Sequence, residues 1–200
     1  MIVTILLAIV FLAVTLVLVR EGLWSAMVGF LNLLAATTAA TAWYPVVANF
    51  ADGHLPTFTY LIDFLAWWGL FALVLLVMRE VTDRLSRTKV KFVKQVELGG
   101  SALVGMMAGW LMVCFTAASL HTAAVPRDLV QPTPESTMFL GFAPDRKWLA
   151  WTRFSTEHGP FGRPGANRAD VFDRDARFIL AYGDRRAALE RAEGLRVNRE

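Results

Sequence analysis

The sequence predicts an all-α, polytopic membrane protein, with four transmembrane helices followed by a polar C-terminal tail of mixed irregular and helical structure. Three observations carry that expectation. First, 56% of the 200 residues are hydrophobic, above the roughly 45–50% of an ordinary soluble domain. Second, charge is segregated: Arg20 is the sole Lys or Arg before residue 79, then Arg79, Arg84, Arg87, Lys89, Lys91 and Lys94 come together, and the others lie beyond residue 120. Third, 98–120 holds no charged residue, and at 1.5 Å per residue it is about 35 Å long, enough to cross a hydrocarbon core of roughly 30 Å. The chain divides into a membrane unit, 1–123, and an extramembrane tail, 124–200.

The first span is expected over 2–19, closed by Arg20 and Glu21. It lacks the basic start and small-residue cleavage site of a signal peptide, so it reads as a retained helix. A tight hairpin leads into the second span, 22–44, which Pro45 is expected to end. The third, 60–78, carries Asp63 one turn inside its start, read as a solvated helix start at the interface, and is closed by Arg79. The fourth is 98–120. Within it Ser101, Gly105 and Gly109 recur every four residues and place small side chains on one face. That spacing predicts a seam where another helix, of this chain or of a second copy, approaches closely. Glycine and alanine are common in membrane helices anyway, but three matches at one spacing favour the seam.

Four spans put both termini on one side. The side with Lys and Arg close to the helices, Arg20 and the 79–97 loop with its Arg79, Arg84, Arg87, Lys89, Lys91 and Lys94, is expected to be cytoplasmic. The 45–59 loop has no Lys or Arg. The N-terminus and the tail are then periplasmic, with Trp43, Tyr44 and Tyr60 in the outer interface and Trp24 in the inner one. Basic residues alternating with Val90, Phe92 and Val93 read either as an amphipathic piece on the anionic leaflet or as plain topogenic charge.

In the tail, Pro126, Pro132, Pro134, Pro144, Pro160 and Pro164 predict extended or irregular structure over 124–165. Trp148, Trp151, Phe154 and Phe161 are too many aromatics for a simple linker, and suit packing on the membrane surface or the outer loop. A helix is expected over 173–193, with Asp173 as N-cap, Phe178, Ile179 and Tyr182 on one side, Gly183 as a break and the Arg/Glu run as a solvated face.

Little here reads as chemistry. Thr37, Thr38 and Thr41 are expected to bond back to their own helix rather than line a polar path. The span cores lack the Asp, Glu, His or Lys that coupled transport places inside the membrane. Ser155, His158 and Asp170 are the residue types of acyl transfer, but no GxSxG elbow surrounds the serine. His54, His121 and His158 are isolated, without zinc-ligand spacing, and no P-loop, dinucleotide or haem motif is present. The expectation is no enzyme, no metal and no cofactor. The single Cys114 excludes an intrachain disulfide. The net charge of +3 does not point to nucleic acid, because the tail's Arg residues are interleaved with Asp and Glu.

The segments VREGLWSAMVGFLNLLAATTAATA and VELGGSALVGMMAGWLMV together resemble the colicin V production protein (CvpA) family. Its members look like four-helix membrane proteins with a charged elbow containing Arg and Gly after helix one. Their fourth helix begins with an acidic residue, with glycines four, eight and twelve positions on. Carried over, Glu97 takes the acidic place, Ser101 the first glycine, and Gly105 and Gly109 the second and third. Arg20 and Gly22 match the elbow, with Glu21 between them. Ala108 stands where the family tends to carry a basic residue. The resemblance spans roughly 1–125. Some members resemble an anchor fused to a periplasmic protease domain, for which this tail is too short. The resemblance implies a non-enzymatic accessory role in colicin V (toxin) production or export in the bacterial inner membrane. The protein would act in the lipid bilayer by helix association with copies of itself or with another envelope membrane protein. The alternatives are a small oligomeric channel or transporter, and a membrane anchor presenting a partner-binding tail.

Overall fold

The computed structural model describes residues 2–54, 59–86, 90, 92–131, 133, 136–162 and 171–191. Its elements are α1 (Ile2–Glu21), α2 (Leu23–Asp52), α3 (Thr59–Leu85), α4 (Lys94–Leu120), the single turn α5 (Arg127–Val130), α6 (Pro144–His158) and α7 (Phe178–Arg191). No strand occurs among the described residues. The first four helices are long and apolar enough to cross a membrane.

The four are arranged as a row rather than a square. α4 packs along α1 on one side and α2 on the other, and α2 packs on α3. The buried share of each apolar window identifies the middle: 61% for α4 against 11% for α1 and 22% for α3. The flanking helices turn Ile5, Ile9, Leu12 and Leu16 of α1, and Leu65, Leu73 and Leu76 of α3, outward. In water such surfaces would be a liability; against acyl chains they cost nothing. α3 runs past Met78 as a polar stem, where Arg84 pairs with Glu80 at 2.6 Å and Arg79 with Asp83 at 3.8 Å, one turn apart.

The core lies between α2, α3 and α4, and its aromatic rings interlock. Trp67 sits 4.6 Å from Tyr44 and 5.8 Å from Phe115, centroid to centroid, and Phe115 is 5.0 Å from Phe71. Tyr44 is therefore a core residue, its ring lying between α2 and α3. Trp43 is exposed as expected, whereas the side chain of Tyr60 lies outside the described residues.

Two boundaries differ from expectation. α2 does not stop at Pro45 but continues to Asp52. Proline removes one N–H and crowds one carbonyl, a loss that membrane helices tolerate when neighbours pack around them, and Tyr44 and Ala48 are both buried beside it. The proline-rich part of the tail is not irregular throughout, since it contains α6. Pro144 occupies the first turn of that helix, where its missing N–H costs nothing. α7 begins later than 173, and its last expected residues, 192 and 193, are outside the described set. Asp173 still caps it: its Oδ1 accepts the N–H groups of Arg177 and Phe178 at 2.8 and 2.9 Å. The helix runs unbroken through Gly183. A helical glycine costs about 1 kcal/mol, less than the docking contacts made by its neighbours.

Candidate functional site

The tightest feature is the elbow between α1 and α2. Gly22 has φ +85°, a conformation that favours glycine, and a Cβ there would lie 2.5 Å from Glu97 Oε1. That carboxylate oxygen accepts the N–H of Leu23 at 3.0 Å, while Oε2 accepts the N–H of Phe92 at 3.3 Å. Glu97, in the first turn of α4, thus caps the N-terminus of α2, where unsatisfied N–H groups and the helix dipole favour an anion. It also ties the link before α4 to the elbow. Arg20 is exposed beside it.

The small-residue face of α4 meets α1 of the same chain. A Cβ on Gly109 would stand 2.8 Å from the Phe11 carbonyl oxygen, and one on Gly105 3.0 Å from that of Thr15. Thr15 Oγ1 donates to the Gly105 carbonyl at 3.2 Å. Ser101 is buried and donates back to Leu98. Ala108 is fully buried with Leu18 and Ala26, so the longer basic side chain of the family pattern has no room at that place. Arg79, Arg84 and Lys94 are exposed; Arg87, Lys89 and Lys91 lie outside the described residues.

α2 touches both α1 and α3, and over it a cleft of about 430 Å³ opens between those two helices, lined in part by Val17, Trp24, Asn32, Leu76, Arg79 and Ser86. Its floor is polar. Asn32 Nδ2 donates to Thr82 Oγ1 at 2.9 Å, and Trp24 Nε1 donates to Ser86 Oγ at 2.8 Å. Sequence reasoning missed Asn32; a lone carboxamide inside the uncharged 22–44 stretch was the available signal.

At the opposite end α7 is fastened by buried charge. Tyr182, Arg185 and Arg186, at i, i+3 and i+4, lie on one helical face. Tyr182 donates to Asp63 Oδ2 at 2.9 Å and accepts from Tyr44 at 3.1 Å. Arg185 forms an ion pair with the same carboxylate. Arg186 donates to His121 Nδ1 at 3.5 Å, which leaves the proton on Nε2 to be donated to Asp145 Oδ2 at 3.1 Å. His121 and Asp145 are both fully buried. Asp63 is therefore not a solvated helix start, His121 is not isolated, and this part of the Arg/Glu run is not a solvated face. Each acid finds its partner more than 20 residues away, a pairing that local spacing does not reveal. Burial, then the adjacent Asp63 charge, pushes the Tyr182 phenol well above its ordinary value.

The threonine run bonds back as expected: Thr37 to Leu33, Thr38 to Leu34 and Thr41 to Thr37, at 2.6, 2.7 and 2.8 Å. Thr41 and Thr38 also accept the indole N–H groups of Trp148 and Trp151 at 3.0 and 3.1 Å. Trp148 and Trp151 thereby tie α6 to the bundle rather than to the outer loop, whereas Phe154 is exposed. Ser155 donates to its own helix at Thr152, and His158 stacks on Phe154. No hydrogen bond joins Ser155 to His158 among the described residues, and Asp170 lies outside them. Among the described residues no group of three His, Cys, Asp or Glu side chains is placed to hold a metal.

A family model described as colicin V production protein matches residues 3–144, from α1 to the first residue of α6. No curated protein and no solved structure matches the chain.

Proposed function

Because the chain belongs to the colicin V production protein family, we propose that it is a non-enzymatic accessory protein of colicin V production in the bacterial inner membrane. It acts by receiving a transmembrane helix of a partner in the cleft between α1 and α3. The N-terminus and tail face the periplasm, and the 79–97 loop faces the cytoplasm. The partner is a second copy of the chain or another envelope membrane protein.

One observation carries this reading. The small-residue seam is already occupied by α1, whereas the α1–α3 cleft is an unfilled groove between two lipid-facing helices with Asn32, Thr82 and Ser86 along its floor. Asn32, inside the 22–44 span, is a polar side chain of the kind that serves helix association by hydrogen bonding across the contact. A threonine-lined pore has less support, because Thr37, Thr38 and Thr41 spend their hydroxyls on their own carbonyls and on two indoles. A free-standing working tail has less support as well, since α6 and α7 are joined to the bundle through Asp63, His121 and Asp145.

Ser25→Trp tests the reading by filling the cleft from α2. Colicin V release should fall although the variant inserts at the normal level. Release equal to that of the unaltered protein would remove the cleft from the account.

A further inference from the structure

A second groove lies on a different face, between α2 and α4 beneath α6. It has a volume of about 370 Å³ and is lined by Phe30, Leu34, Met107, Trp110, Lys147 and Trp151, among others. Both walls are membrane-spanning helices, so the groove opens toward acyl chains. Its depth follows from helix rise: Phe30 is roughly 10 Å and Thr38 roughly 22 Å along α2 from Leu23, and Thr38 is where Trp151 is bonded. α6 is therefore sunk into the tail-side leaflet, with Trp148, Leu149 and Thr152 buried against the bundle and Trp151 and Phe154 exposed.

Lys147 stands at the mouth of this groove. Its Nζ is 5.6 Å from the Trp110 ring centroid and 5.8 Å from that of Phe142, and among the described residues it has no acidic partner within ion-pair distance. Two aromatic faces hold the ammonium in place without neutralising it. Nearby acid is directed elsewhere, since Asp145 points from the opposite side of α6 to His121. A fixed, uncompensated cation above an apolar trough in a leaflet matches a molecule with an anionic head and a hydrocarbon tail.

We propose that this groove binds an anionic phospholipid, one acyl chain lying along Phe30, Leu34 and Met107 and the phosphate meeting Lys147. The site is independent of the α1–α3 cleft, so either assignment stands or fails alone.

The test is native mass spectrometry of the full-length protein, delipidated in detergent and titrated with phosphatidylglycerol or phosphatidylcholine of identical chains. The unaltered protein should bind phosphatidylglycerol about fivefold more tightly, the factor one interfacial lysine contributes. Lys147→Gln, at an exposed position, should lose that preference, while Arg84→Gln at the other end of the bundle should keep it. Met107→Trp, which narrows the trough from its exposed edge, should weaken binding of both lipids. Glycerol 3-phosphate, the head without chains, should displace neither. Equal binding of the two lipids, a preference that survives Lys147→Gln, a preference lost in Arg84→Gln, unaltered binding in Met107→Trp, or displacement by glycerol 3-phosphate would each overturn the proposal.

Discussion

Replacing Gly109 by alanine adds one methyl group to the α1–α4 seam, and the geometry says what it meets. The new Cβ would stand 2.5 Å from Thr15 Oγ1 and 2.8 Å from the Phe11 carbonyl oxygen, where ordinary contact begins at 3.4 Å. Thr15 can rotate away, but it then gives up its bond to the Gly105 carbonyl. Phe11 offers no such escape, because its carbonyl belongs to the helix, so α1 itself must back off by more than half an ångström. Overpacking of this kind costs about 1–3 kcal/mol, against a gain of up to about 1 kcal/mol from exchanging helical glycine for alanine. The net expectation is a loss of up to about 2 kcal/mol. Gly69 provides the comparison: a Cβ there meets nothing within 4 Å, so Gly69→Ala takes the helical gain alone. Unfolding of both variants in detergent micelles, followed by near-ultraviolet circular dichroism, should place Gly109→Ala below the unaltered protein and Gly69→Ala at or above it. A Gly109→Ala protein as stable as Gly69→Ala would refute the close approach of α1.

Three other outcomes follow from the same structure. Glu97→Ala should lower stability by about 1 kcal/mol, the usual cost of a lost helix cap, while Glu97→Gln, which still offers a carbonyl oxygen to Leu23, should lose less; the same unfolding measurement separates them. Asp63→Ala leaves Arg185 and Tyr182 without their buried acceptor, a loss of about 1.5–3 kcal/mol for a bond to a charged group, and should expose α7 to trypsin at Arg185 and Arg186, read as faster cleavage in intact protein. The Tyr182 phenol is raised in the folded state, so on alkalinisation the unfolded chain sheds its proton first. The contribution of this group is then complete below pH about 10, the unfolded tyrosine value, and is lost as pH climbs beyond it. Melting in detergent across that range should show the decline, and Tyr182→Phe should flatten it.

How much of this was legible beforehand depends on the range of the interaction concerned. The four spans and the tight hairpin between the first two follow from hydropathy, which acts over one helix or one turn. The seam was visible as a spacing, but its occupant was not, since nothing in α4 says that Phe11 and Thr15 will face it. Pro45 misleads because the tolerance for it comes from packing around Tyr44 and Ala48, not from the local sequence. α6 was hidden among prolines, one of which starts it. Asp63 and the arginines of α7 read as solvated, and His121 as isolated, because each looks unpaired within its own segment. Their partners come from other helices, at 119 residues in the case of Asp63 and Tyr182. Asn32 was the one long-range signal open to notice, a polar amide in an otherwise apolar stretch.

The partner-binding cleft is tested most directly by photocrosslinking in cells that make colicin V. A photoreactive residue at position 17 or 76, exposed side chains that line the cleft, should yield a discrete protein adduct. The same residue at position 12, which faces outward from α1 and does not line the cleft, should not. Adducts of equal yield at all three positions, or none at 17 and 76, would contradict a partner helix seated between α1 and α3.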